Sequence, residues 1–319
     1  MKNKGIIIFL IILAVVIIAI IAGDYLSDKP DKTGPNPFEY NVDNFKTVDS
    51  TLIHFKETKN YRISFKNPTA LTISGEKIYL AGDNKIQVIG LDGILLNEIA
   101  LSGQPQTVDV FGENIFVAIA NAVNVYNETG TLLKTWPALT DSALITAIAA
   151  SETSVFVADA GNRKVHRYNH DGQLMISFDG KAAEGELHGF IIPSPVFDLD
   201  INPDGDLWVV NPGMHSLENY TEDGNLREHW NNTSMMTEGF SGCCNPAHFT
   251  FLPDGRFVTS EKGLVRVKTY KPSGEFDAVV AAPIKFTEEG KAPDVAVDAA
   301  GNVYALDFDK KMIRVFEKK

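Results

Sequence analysis

The stretch from Val155 to Phe178, VFVADAGNRKVHRYNHDGQLMISF, constrains the fold more than any other part of the chain. Val155 and Val157 begin an alternating apolar run that stops at Asp159. Ala160-Gly161-Asn162 supplies a turn, and Lys164 to Tyr168 alternates again before Asn169-His170-Asp171-Gly172. Gln173 to Phe178 closes the unit. A side-chain period of two marks a strand, and short glycine-containing turns join such strands as antiparallel hairpins. Units of this kind recur along the chain, so the expected fold is all-β, a six-bladed β-propeller.

The repeats begin at Pro68, Pro105, Leu144, Pro195, Pro246 and Pro293. Five of them read as four strands, while the sixth reads as three before Lys319. Ser50 to Lys56 (STLIHFK) sits one connection ahead of the first inner strand, where a fourth strand belongs. Pairing it with Ile313–Phe316 is expected to close the ring and leave no open edge between first and last blades. A single domain over residues 50–319 follows.

These repeats resemble the NHL-repeat family. Its pattern is a strand ending in Asp, a small turn, Asn-His-Arg-Val, an aromatic residue and Asp-Gly. The third repeat places Asp159, Asn162-Arg163-Lys164-Val165, Tyr168 and Asp171-Gly172 at those positions, with Lys164 where the family has Arg. The sixth offers Asp307, Ile313 and Phe316, with Met312 at the Arg position. The fifth has Glu261 for the Asp, followed by Arg266-Val267. Gly185-Glu186-Leu187-His188-Gly189-Phe190 resembles the family's Gly-rich run before a blade. The resemblance implies a propeller and says little of chemistry, because such propellers serve as scaffolds, receptors and enzymes.

Residues 1–23 read as a cytoplasmic start and a membrane span. Lys2 and Lys4 precede an unbroken apolar run from Ile6 to Ala22. As a helix this run is ~26 Å long, close to the ~30 Å hydrocarbon thickness of a bilayer. Ile20 lies at the −3 position of the Ala22-Gly23 step, where a signal peptidase wants a small residue. An uncleaved signal anchor is therefore expected, with a cleaved signal peptide as the other reading. Either way the lysines place the propeller on the extracytoplasmic side of the cell (inner) membrane. Residues 24–49, rich in Pro and Asp, read as a tether. The net charge of −12 argues against nucleic acid as a partner, since phosphate backbones are held by Lys and Arg.

In a four-stranded blade the loop between strands two and three lies on the same face as the connection to the next blade. That geometry gathers Asp159, Asn211, Glu261 and Asp307, the ends of second strands, on one rim. The long connections Asp179–Ser194, which contains His188, and Asn231–Gly242 overhang the same rim. Cys243 and Cys244 enter the fifth blade there, followed by Asn245-Pro246. They are the only cysteines, and four readings stay open: a conformational staple or buried thiols, a redox pair, a soft-metal site, or a ligand platform. His248 starts the next inner strand and either faces a ligand or metal or is a hydrogen-bonded structural residue. Lys262 and Arg266 either recognise an anionic group beside Glu261 or belong to a solvated blade edge, the plainer reading. His166, His170 and His229 read as surface residues.

No nucleophile elbow, HExxH or Walker loop occurs. Lactonase-like propellers hold calcium with inner-strand acids. Here those acids are Asp109, Asp198, Asp200, Asp294 and Asp298, and alternation is expected to turn some away from the channel. The favoured function is ligand or protein binding, or scaffolding, through the Cys243-Cys244/His248 face. The alternative is a metal- or thiol-dependent enzyme at the same mouth. No cofactor is required by the sequence beyond a metal on that face in the second case.

Overall fold

The computed structural model describes residues 3–26, 43–181 and 189–319. Two compact units divide the chain, Met1–Val42 and Asp43–Lys319. In the first, Asn3–Leu26 is one helix, and its Lys4–Gly23 stretch is long and apolar enough to cross a membrane. Leu, Ile and Val with no interior charge make this helix uniformly apolar, so it can serve as a membrane anchor or signal sequence. Of the expected tether, residues 27–42 lie outside the described residues. Its end is structured: Asp43–Lys46 forms a single helical turn, and Lys46 pairs with Asp43 and Glu288.

The second unit is a propeller of six antiparallel four-stranded sheets. The inner strands are Pro68–Ser74, Pro105–Phe111, Ile145–Ala150, Leu199–Ile201, His248–Phe251 and Asp294–Val297, in blades 1 to 6. The core lies between neighbouring blades. Leu71, Ile78 and Leu80 of blade 1 pack on Leu306, Ile313 and Val315 of blade 6. This explains why second strands are apolar on both faces: every residue of Val155–Asp159, Leu207–Asn211 and Val303–Asp307 is buried. Turns between third and fourth strands carry the glycines for a steric reason. Gly172 has φ +77°, and a Cβ there would stand 2.3 Å from the Trp136 ring of the preceding blade. Gly274, φ +83°, meets Trp230 in the same way.

The ring closes as expected in kind but with a different segment. Phe55–Arg62 pairs antiparallel with Met312–Lys318, from Phe55 opposite Lys318 to Arg62 opposite Met312. Most of the anticipated strand is something else: Ser50–Leu52 is a 3₁₀ turn, its first residues capped by the Asp49 carboxylate accepting the Thr51 N–H. The sequence hides the true strand because an outer strand is half solvated, so KETKNY shows no apolar alternation. Its specificity comes from side-chain pairing instead. Phe55 is buried in the interblade core. The Glu57 carboxylate accepts from Arg314 (2.8 Å) and Lys285 (3.0 Å). Tyr61 donates its hydroxyl to the Leu91 carbonyl of blade 1 at 2.9 Å.

Deleting Phe55–Arg62 should abolish cooperative melting of the propeller, because it bares one edge and empties the seam between blades 6 and 1. Deleting Ser50–Leu52 should leave a cooperative transition. Circular-dichroism melts of the two truncations check this, and equal melts would overturn the closure.

Candidate functional site

The second-strand ends are not free rim ligands. Asp159 Oδ1 accepts from the Leu144 N–H (2.9 Å) and the Asn162 N–H (3.1 Å), and Oδ2 from the Asn162 side chain (2.6 Å). His166 Nε2 lies 3.4 Å from the same oxygen. Burial opposes ionisation of Asp159, but the His166, Asn162 and Leu144 hydrogen bonds outweigh it and hold the carboxyl at about 2. Asn211 accepts from the Ile191 N–H (2.8 Å) and donates to the Gly189 carbonyl (3.1 Å) and Glu218 (3.0 Å). Asp307 accepts from the Lys310 N–H (2.9 Å) and Arg314 Nε (3.0 Å). The cause is common to all three. The loops at this end of the blade bury backbone groups that need partners, and the side chain ending strand two is the nearest. His166 is therefore buried, not a surface residue. His188 lies outside the described residues.

Glu261 and Arg266 overturn the expectation of a solvated blade edge. Both are fully buried, as is Lys268. Arg266 donates to both oxygens of Glu261 (3.0 and 2.8 Å), and Lys268 Nζ lies 2.7 Å from Oε1. The surplus cation is absorbed by the preceding connection. Arg266 donates to the Met236 and Gly239 carbonyls, each at 3.1 Å, and Lys268 to Gly239 at 2.6 Å. Burial pushes the Lys268 ammonium down to about 8, with Glu261 resisting that shift. The charged run from Glu261 to Lys268 reads in sequence as a hairpin at a blade edge; only the fold shows the 231–242 connection lying over Arg266 and Lys268.

The inner strands build a different site. A channel cavity of about 380 Å³ is lined by Asp109, Asp198, Asp200, Asp294 and Asp298. All five expected acids border it, but Asp298 is buried with its carboxylate turned into its own turn, so the expectation that some point away holds for that residue. The register explains the others. Asp109 stands opposite Phe116 and Asp200 opposite Trp208, equivalent places in blades 2 and 4. Asp198 and Asp294 fall two residues earlier than such a place, hence on the same side. The lining continues to Pro203, Pro253 and Ala299, in the turns after the first strands. The cavity therefore reaches the end of the blades opposite the cysteines.

Three of these acids tie neighbouring blades together. Asp109 accepts from the Ala150 N–H (2.8 Å), Asp198 from the Phe249 N–H (3.0 Å) and Asp294 from the Leu71 N–H (2.7 Å). His248 stands between two of them, Nδ1 being 3.5 Å from Asp198 and 3.9 Å from Asp294. Burial works against its charged form, but the Asp198 hydrogen bond and the charges of Asp294 and Asp198 prevail and raise its pKa. Burial raises Asp109 and Asp294 to about 6 and Asp200 to about 8, and Asp109 and Asp198 add repulsion at Asp200. Protein encloses these carboxyls on most sides, while part of each still faces the open channel. Asp298 is committed to its own turn, accepting from the Ala300 and Asn302 N–H groups and the Tyr304 hydroxyl.

Cys243 and Cys244 are free thiols with their sulfurs 3.1 Å apart, Cys243 exposed and Cys244 buried. Asn245 pins their loop, donating to the Ser241 carbonyl (2.6 Å) and the Lys262 carbonyl (3.1 Å) and accepting from the Lys262 N–H (2.9 Å). Lys262 Nζ donates to Ser194 Oγ at 3.0 Å. Cys244, Lys262 and Asn245 border an open cleft with Glu289 and Lys291. Among the described residues no three His, Cys, Asp or Glu side chains are arranged to hold a metal, so the fold does not unite Cys243, Cys244 and His248 as a ligand set.

The chain matches no protein-family model and no curated protein. It does resemble solved structures. A streptogramin B lyase superposes with a TM-score of 0.57 at 14% identity, covering 83% of this chain and 98% of that one. A protein of unknown function from Bacteroides thetaiotaomicron gives 0.61 at 17% identity, covering 82% and 72%. The WD40 propeller domain of Doa1 gives 0.55 at 15% identity, covering 79% of each. At such identities the likeness extends to the propeller fold alone.

Two consequences are measurable. Glu261→Gln leaves two buried cations without a counter-charge and should cost ~3–5 kcal/mol in denaturant unfolding. Asp200 keeps its proton in the fold up to about pH 8, while the unfolded chain loses it near its ordinary value of 3.8. Between those values the unfolded state is favoured as pH rises. Asp200→Asn should therefore match the wild type in melts at pH 3 and exceed it increasingly up to pH 9; a constant difference would refute the raised carboxyl.

Proposed function

We propose that this chain is a membrane-anchored, extracytoplasmic propeller that binds a small, positively charged ligand in its axial channel. One observation carries the reading: the cavity gathers five aspartates, and no Lys or Arg is among its described lining residues. Its size suits a small ligand, and a recessed anionic channel concentrates cations. The NHL-like reading of the repeats and the lysine-first apolar helix, which favours an outward-facing domain, belong to the same proposal. Binding is favoured over catalysis because three of the five channel acids are already engaged in holding blades together. That role suits a preorganised receptor. The solved structures of similar fold include both a lyase and a WD40 domain, and favour neither reading.

Calorimetry on the full-length protein in detergent micelles tests this with spermidine as a cationic probe and glutarate as its anionic counterpart. Spermidine should bind and glutarate should not. Affinity should rise from pH 5.5 to 8.5 as Asp109 and Asp294, then Asp200, lose their protons. The double variant Asp109→Asn/Asp200→Asn should weaken binding by about tenfold or more, the scale of one lost charge-assisted contact. Equal binding of the two probes, or no effect of the double variant, would sink the channel reading.

A further inference from the structure

The rim opposite the channel opening carries chemistry that the binding reading does not use. Cys243 and Cys244 are neighbours in sequence but differ in exposure, one facing solvent and the other buried beneath it. Their sulfurs already approach to 3.1 Å. The loop that holds them is fixed on both sides. Asn245 bonds it to Ser241 and Lys262, and His215 holds the Gly242 carbonyl from blade 4. The buried sulfur has polar company: the Ser194 hydroxyl and the Lys262 ammonium, bonded to each other at 3.0 Å, favour its thiolate. An open cleft of about 450 Å³ runs past the exposed sulfur, bordered by Glu289 and Lys291.

We propose that Cys243 and Cys244 form a thiol–disulfide exchange centre acting on disulfides that can enter this cleft. Cys243 is the exposed sulfur of the pair and the one an incoming disulfide meets first. Its thiolate attacks one sulfur of the substrate R–S–S–R′, the S–S bond breaks, and R′–S⁻ leaves and takes up a proton. Cys243 then carries R in a mixed disulfide. Cys244 attacks the Cys243 sulfur from below, the bond to R breaks, and R–S⁻ leaves and is protonated. The protein loses two electrons and two protons, and the substrate disulfide becomes two thiols. In reverse, the Cys243–Cys244 bond oxidises a dithiol.

The two thiols sit in unlike electrostatic surroundings. Burial raises Cys244, but Ser194, Cys243 and Lys262 outweigh it and lower its pKa, which suits the resolving thiolate. The hydrogen bond to Cys244 and the charge of Cys244 raise Cys243, which makes it the stronger nucleophile once ionised. Lys262 is a positioning residue that holds charge on Cys244. A soft-metal centre would need both sulfurs to reach the ion, and burial of Cys244 argues against it.

The test uses the reduced full-length protein in detergent, with glutathione disulfide as the probe and acid-quenched mass spectrometry as the readout. The wild type should consume one glutathione disulfide per chain, release two glutathione thiols and end with a Cys243–Cys244 bond. Cys244→Ser should stop at a glutathione mixed disulfide on Cys243. Cys243→Ser should react about tenfold more slowly or less, because the remaining thiol is covered. Lys262→Met should move the pH profile of the resolving step upward, a change that mere loosening of the loop would not give. Alkylation of the native wild type should label Cys243 before Cys244, which covers the case of a variant that fails to fold. A stable mixed disulfide in the wild type, equal rates for the two serine variants, or rates no faster than in denatured protein would overturn the proposal. The outcome is separable from the channel reading, because Asp109→Asn/Asp200→Asn should leave exchange unchanged.

Discussion

Everything in the propeller depends on the backbone hydrogen bonds between Phe55–Arg62 and Met312–Lys318. Each blade buries its apolar faces only against its neighbours, so an open array would leave two faces without a partner. Closing the ring with a strand from the start of the domain ties the two ends of the chain into one sheet and removes that edge. The seam is reinforced where it must be specific. Glu57 takes two cations from blade 6 and its approach, and Tyr61 reaches across to blade 1.

Buried polar groups perform a second structural task, and they do so differently at the two ends of the blades. At the end of the second strands, Asp159, Asn211, Glu261 and Asp307 hold the loops at their end of the blade through backbone groups. In blade 5 the single carboxylate is replaced by a three-member ion cluster, because the 231–242 connection offers carbonyls that need donors. Near the axis, Asp109, Asp198 and Asp294 accept backbone N–H groups of the next blade, binding blades 2 to 3, 4 to 5 and 6 to 1. The same carboxylates stay partly exposed to the channel, so one set of residues both fixes the inner ring and sets its charge.

The two candidate sites therefore belong to one propeller and rest on different chemistry. The channel is a preformed field of carboxyls whose charge is tuned by burial. The cysteine loop is a pair of soft nucleophiles whose unlike environments come from a single lysine, a single serine and the depth of one sulfur.

Much of this was written in the residue order. Period-two runs, Asp-Gly turns and their recurrence determined the blade, the blade number and the need for a borrowed strand, because side-chain alternation and turn sterics are local. The vicinal cysteines and His248 were visible as unusual residues for the same reason. What the tertiary structure decided is non-local. An outer strand such as KETKNY carries no apolar period, so only its pairing reveals it. Arg266 and Lys268 read as solvated until a distant connection covers them. The channel aspartates read as scattered until the register aligns strands far apart in sequence. A charge declares its environment only when the chain has folded around it.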